Sequence, residues 1–333
     1  MRRGHSWPDE KSESGSSGCR QQPLEHRRNP ASALFLTVCL AIFVFILLLP
    51  LLTPPAAEAQ RHAARSLIVN PLLDDRNHLP DIEVRAFNSF GGWAGFGNIP
   101  HSSDDHHLWY QDLGGYAELW RQGNSSSMLL TGQIQFIADP HNDINFNPRA
   151  IFWEEGLLYT TRIDPGFLQL GFMHRCKHDI DNLDIGKERS LIFSSMILRY
   201  QQQASLLRDD DLMIMLGFEQ YVITWDRRAP RDLEDTGPNW NDLQNTGTLH
   251  MHWQQDPQVE SPFAETRLQL INMEDRIRLN RSASIGWRFP RSGGEFRIML
   301  TYEYLHDSGI PAIPEETHML KLGIRANSPF VFR

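Results

Sequence analysis

From residue 81 to its end this chain alternates apolar and polar side chains in segment after segment, a rhythm that restricts it to half-buried β-strands. Phe296, Ile298, Leu300, Tyr302 and Tyr304 share one parity, and Arg297, Met299, Thr301 and Glu303 share the other. Successive strand side chains point to opposite faces, so such a segment is greasy on one side and polar on the other. Leu249, Met251 and Trp253 oppose Thr248, His250, His252 and Gln254 in the same way, which reads the His pair as lumen polarity. Leu320, Leu322 and Ile324 oppose Met319, Lys321, Gly323 and Arg325. Further segments of strand character are 82–90, 108–120, 128–138, 149–160, 166–174, 190–200, 211–223, 263–272 and 282–289. Together they make about twelve, an even number in the range of transmembrane barrels. Trp109, Tyr110, Trp120, Trp153, Tyr159, Tyr200, Tyr221, Trp225 and Trp287 lie near segment ends, where interfacial aromatic girdles belong. The expected fold is all-β: an antiparallel transmembrane β-barrel over 81–333. A soluble β-sandwich shares the alternation and is the competing fold.

The segment ahead of the strands fits export. Ala31–Thr53 is uncharged, Arg27 and Arg28 flank its core (Ala33–Leu52), and Ala57-x-Ala59 offers a cut before Gln60. Residues 1–59 are therefore expected to be a signal peptide with a long N-terminal extension. A core of about twenty residues is also long enough to stay as an uncleaved inner-membrane anchor. Pro50, Pro54 and Pro55 favour cleavage, because they break a helix where a peptidase needs extended chain. Residues 60–80 are a short periplasmic entry segment.

Of the three cysteines, Cys19 and Cys39 lie in or before the leader, so a cleaved chain keeps only Cys176 and no internal disulfide. The formal net charge of −9 excludes nucleic acid as an electrostatic partner. Asn98–His106, Asp139–Pro148, Arg227–Asn245 and Asp307–Glu316 read as polar loops, and Gly91–Gly97 as a turn.

One constellation carries possible chemistry: Gly171-Phe172-Met173-His174-Arg175-Cys176-Lys177-His178-Asp179-Ile180-Asp181. On a strand, His174, Cys176 and His178 project from one face about 7 Å apart. Three readings stay open. His174, Cys176, His178 and Asp181 could bind zinc or copper, His174 could activate Cys176 as a nucleophile, or the group is a hydrogen-bonded patch fixing a loop. Otherwise no cofactor is expected. Leu168, Leu170 and Phe172 share their parity, so the three face lipid at the outer headgroup level unless a bulge turns them inward.

Pro71-Leu72-Leu73-Asp74-Asp75-Arg76 followed by strands and His174-x-Cys176-x-His178-x-x-Asp181 resembles an uncharacterised bacterial family of outer-membrane barrels. That family opens P-L-x-A-D-P-R and carries H-x-S-S-H-L-G-D. Here Cys176 and Lys177 stand for both serines, Asp179 and Ile180 for Leu-Gly, and Asp75 for the proline. The terminal Phe330-Val331-Phe332-Arg333 resembles the aromatic ends of such barrels, with one extra residue. A weaker similarity is to lipid A deacylases, which implies Cys176 as nucleophile, His174 as base and Glu188 as its orienting carboxylate.

The resemblance implies a Gram-negative outer membrane, with lipid, lipopolysaccharide and the barrel-assembly machinery as partners. The first expectation is a non-enzymatic pore or structural barrel of the envelope. The alternatives are a lipid A or acyl-ester hydrolase built on His174, Cys176 and Glu188, and an inner-membrane-anchored periplasmic β-domain.

Overall fold

Thirteen strands make one antiparallel sheet that closes on itself. In chain order they are β1 (Val84–Ala86), β2 (Ser89–Ser102), β3 (Trp109–Gln122), β4 (Ser126–Ala138), β5 (Pro148–Ile163), β6 (Gly166–Asp179) and β7 (Glu188–Ala204). They continue with β8 (Asp211–Ala229), β9 (Leu243–Gln254), β10 (Ser261–Met273), β11 (Ile277–Arg291), β12 (Gly294–Leu305) and β13 (Thr317–Val331). The computed structural model describes residues 69–331 except 74–79, 81, 181–187, 207–209, 230–239, 257, 274–275, 292–293 and 312–315. The leader, residues 1–59, lies outside the described residues.

Each strand pairs with its sequence neighbour, and β13 pairs β2 from Met319–Ser102 to Val331–Ser89, which closes the wall. β1 extends the β2 side of β3, pairing Ala86 with Trp120, and Phe87 (φ 52°) makes the break between the two. The barrel therefore has twelve strands, as the alternation implied. Full closure leaves no unpaired edge, the condition for placing β-structure in hydrocarbon.

The predicted Gly91–Gly97 turn is instead the interior of β2. A Cβ on Gly97 would collide with the Tyr110 ring and the Leu322 carbonyl, and one on Gly95 with the Asp112 carboxylate. These glycines let bulky β3 side chains lie flat across the closing seam. They are spacers in a strand.

Parity sorts the wall as expected. Phe296, Ile298, Leu300 and Tyr302 are 38–44% exposed on the outside, whereas Arg297 opposite them is 2% exposed. Phe96, Leu130, Leu157, Leu170, Phe172, Ile285, Leu322 and Ile324 continue the apolar belt around the barrel. Such a ring of apolar side chains suits acyl chains and would be costly in water. The periplasmic β-domain and the β-sandwich are excluded on this ground.

Links at one end (123–125, 164–165, 205–210, 255–260, 292–293) have at most six residues, whereas those at the other (103–108, 139–147, 180–187, 230–242, 306–316) have six or more, 274–276 being the exception. The long set marks the extracellular end. No described helix is long and apolar enough to cross a membrane, so strands do the crossing. The chain is an outer-membrane β-barrel.

The lumen is filled from both ends. Below, Val69 packs on Leu129, Leu158, Met173 and Ile197, and Leu73 on Met213 and Met215. Three polar links hold this segment: Asn70 Nδ2 donates to Gln201 (2.8 Å), Gln169 Nε2 to the Val69 carbonyl (3.0 Å) and Arg121 Nη1 to the Pro71 carbonyl (3.3 Å). Above, the link after β12 turns inward, burying Ile310 completely against Ile137 and Ala150. Trp240 seals the same level with Leu191, Phe193, Leu243, Ile271 and Met273.

Candidate functional site: the outer face of β6 and the luminal cavity

The residues singled out from the sequence sit on β6. Its ladders to β5 and β7 run without a register shift, so no bulge turns His174, Cys176 and His178 inward. They face out, with Leu170 and Phe172 below them. Cys176 pairs with Trp153 on one side and Ile192 on the other, and Ile192 pairs with Trp225. Trp153 and Trp225 are exposed at this height, which sets the group at the outer headgroup level.

Each histidine is hydrogen-bonded to a serine of β7: His174 Nδ1 to Ser194 Oγ at 2.8 Å, and His178 Nδ1 to Ser190 Oγ at 3.0 Å. Glu155 lies directly across from His174 on β5. Asp181 and the side chain of Glu188 lie outside the described residues. His174, Cys176 and His178 therefore share a face, while both imidazoles turn to serine partners. Ser194 and Glu155 were not singled out from the sequence. They come from other strands, and only the register brings them beside His174.

The lumen holds a second constellation. A cavity of about 350 Å³ lies between the two plugs, lined by Gln133, Gln135, Glu154, Arg175, Lys177, Arg199, Glu219, Tyr221, Thr246, Thr248, Arg267, Gln269, Asp307 and Lys321 among others. Most of its charges are cancelled. Arg175 is bound by Glu154 and Glu219, Lys321 by Glu303, and Lys177 meets Asp307 at 3.8 Å. Lys177 also lies over the Phe152 and Trp240 rings at 4.9 and 5.7 Å.

Five cations (Arg175, Lys177, Arg199, Arg267, Lys321) meet four carboxylates (Glu154, Glu219, Glu303, Asp307) in this lining, a surplus of one positive charge. Arg199 donates to Gln169 Oε1 at 3.3 Å and Arg267 opens on the cavity; neither makes an ion-pair contact among the described residues, though both feel the Glu154 carboxylate through space. Lower down, His250 and His252 face the lumen as expected, and both bind Glu265 (2.9 and 3.3 Å). Arg288 and Arg297, directly opposite in the ladder, share Glu295, which removes the repulsion of like charges across a pair. The arginines that line the cavity, Arg175, Arg199 and Arg267, fall at inward positions of β6, β7 and β10. Alternation could have placed each one inside, but could not show which would lack a carboxylate in ion-pair contact.

No family model matches the chain, and no curated protein matches it. Among solved structures it is similar to the β domain of the Bordetella autotransporter BrkA, at 11% identity and TM-score 0.45 over 74% of this chain and 100% of that one. It is also similar to an outer-membrane channel from Pseudomonas putida F1 (10% identity, TM-score 0.43, 79% of this chain and 100% of that one). LpxR from Salmonella typhimurium shares 7% identity at TM-score 0.41, over 73% of this chain and 100% of that one.

Proposed function

We propose that this barrel is a plugged, non-enzymatic conduit of the outer membrane for small anionic solutes of the carboxylate or phosphate class. The observation that carries the reading is the pair Arg199 and Arg267, facing a cavity of about 350 Å³ with no carboxylate in ion-pair contact among the described residues and a surplus of positive charge in the lining. A guanidinium in a narrow low-dielectric lumen is costly unless an anion meets it, and its planar fork fits carboxylate and phosphate oxygens. The volume is that of a small-ligand site. Gln133, Gln135, Thr246 and Thr248 supply neutral hydrogen-bonding groups for the rest of such a solute. Lipid and lipopolysaccharide cover the belt, and the barrel-assembly machinery is the partner that inserts it.

Planar-bilayer recording tests this. The parent should favour chloride over potassium, and micromolar to millimolar di- or tricarboxylate should block that current. Arg199→Gln with Arg267→Gln should abolish both properties while leaving the heat-shifted gel mobility of a folded barrel. Cation selectivity in the parent would sink the reading.

A second reading rests on the 2.8 Å contact of His174 with Ser194 beside Glu155: a hydrolase acting on acyl esters at the outer leaflet. Cys176 with Glu188 is the alternative nucleophile and carboxylate in that scheme. A fluorophosphonate probe should then label the folded protein at Ser194, and His174→Ala should prevent labelling. Absence of label in the folded barrel removes the Ser194 version. The zinc alternative at His174, Cys176, His178 and Asp181 requires metal to protect Cys176 from alkylation.

A further inference from the structure

The extracellular links 103–108 and 139–147 bring together the one set of three His, Cys or carboxylate ligand atoms within 4.8 Å of one another among the described residues: Asp105, His106 and His141. The Asp105 carboxylate is 3.6 Å from His106 Nε2 and 3.3 Å from His141 Nε2. Ligands about 2.0–2.1 Å from a tetrahedral zinc stand roughly 3.3 Å apart, so two edges of such a site are nearly in place.

The surrounding groups are arranged for the same purpose. A carboxylate oxygen of Asp139, fully buried, lies 2.9 Å from His106 Nδ1; in the neutral tautomer with the proton on Nδ1, the Nε2 lone pair faces Asp105. The same carboxylate oxygen accepts from Arg149 Nε at 2.9 Å, and the other accepts the His141 backbone N–H at 2.9 Å. A carboxylate behind a ligating imidazole fixes both its tautomer and its direction. Asp104 Oδ1 accepts the backbone N–H of His106 and so fixes the other loop. An imidazole lone pair facing a carboxylate oxygen is unfavourable unless a proton or a metal ion lies between them, and two imidazoles converging on one carboxylate can share a single metal ion.

We infer that Asp105, His106 and His141 form a site for a divalent late-transition-metal ion, zinc being the fitting case, with a fourth position open to water. Two imidazoles and one carboxylate disfavour calcium and magnesium, which take oxygen ligands. The ion would staple two extracellular links beside the inward-turned link after β12, which His107 already holds through the Ser308 carbonyl at 3.1 Å.

The test is a zinc titration of the folded full-length barrel in detergent, read by competition with a chromophoric chelator. One equivalent should bind, and a hundredfold excess of calcium should not displace it. His141→Ala removes a half-exposed ligand that the fold does not need, and it should weaken binding at least tenfold with gel mobility unchanged. His178→Ala should leave zinc affinity as it was. Binding that persists in His141→Ala, or that disappears in His178→Ala instead, would overturn the assignment, as would the lack of any stoichiometric site in the parent.

Discussion

At the scale of single residues, the costliest groups are the buried charges. Arg149 and Asp139 are both fully buried and paired at 2.9 Å. Removing one member of such a pair strands the other without water. Arg149→Ala is therefore expected to lower stability by about 3–5 kcal/mol, measured by guanidinium unfolding in lipid vesicles followed by tryptophan fluorescence. Cys176 offers a different test. It is half-buried on the lipid side, and His174 is bound to Ser194. The thiol should react with a membrane-soluble maleimide and resist a charged one, and His174→Ala should not change its rate. A slower rate in that variant would instead make His174 the activator of Cys176 and favour the hydrolase.

The elements show what alternation could and could not reveal. β12 and β13 were legible from their sequences, because most outward positions are apolar and most inward ones, with exceptions such as Met299 and Met319, are polar or glycine. β2 was not, since glycine has no side chain with which to declare a face, and a run of four within seven residues reads as a turn. The outward aim of His174 followed from the parity of Leu168–Phe172. Its serine partner did not, because cross-strand register is set by loop lengths and pairing across the whole barrel. The loops carrying His106 and His141 were recognised as loops, but their proximity depends on the pairing of the two intervening strands, β3 and β4.

Gly97→Val tests the seam. Its side chain would meet Tyr110 and the Leu322 carbonyl, so the variant should lose the fast-migrating unheated gel band.

The link after β12 is expected to respond to acid. Burial drives His306 below its ordinary 6.5, with Arg278 and Lys177 adding to the effect and Asp307 opposing it. Burial alone would raise Asp307, but the charges of Lys177 and His306, the Gly309 N–H and Arg189 hold it below 3.8. The neutral ring favours the tucked link above pH 6.5. As pH falls below 6.5, the released form gains the proton more readily and the tucked form loses ground. The Asp307 contribution holds down to about its ordinary 3.8 and is lost progressively below that. Bilayer conductance should therefore rise as pH falls from 6.5, and His306→Phe should stay flat to about pH 4.

On the scale of the whole molecule, twelve strands supply a rigid wall, while the working parts are short pieces of chain inside it. The lower piece is fastened by few bonds, and one of them is shared. The Gln169 side chain donates to the Val69 carbonyl with its amide nitrogen and accepts from Arg199 with its oxygen. The amide nitrogen also donates to Thr160 Oγ1 at 2.9 Å, so a solute that captured Arg199 would remove one of the two groups that orient this amide. On the proposed conduit reading, the latch and the receptor would be coupled through Gln169, and arrival of an anion would weaken the closure beneath it. A valve wired this way would not pass traffic in simple proportion to supply. Its flux would climb more steeply than concentration at low load, because each captured anion also helps to free the exit.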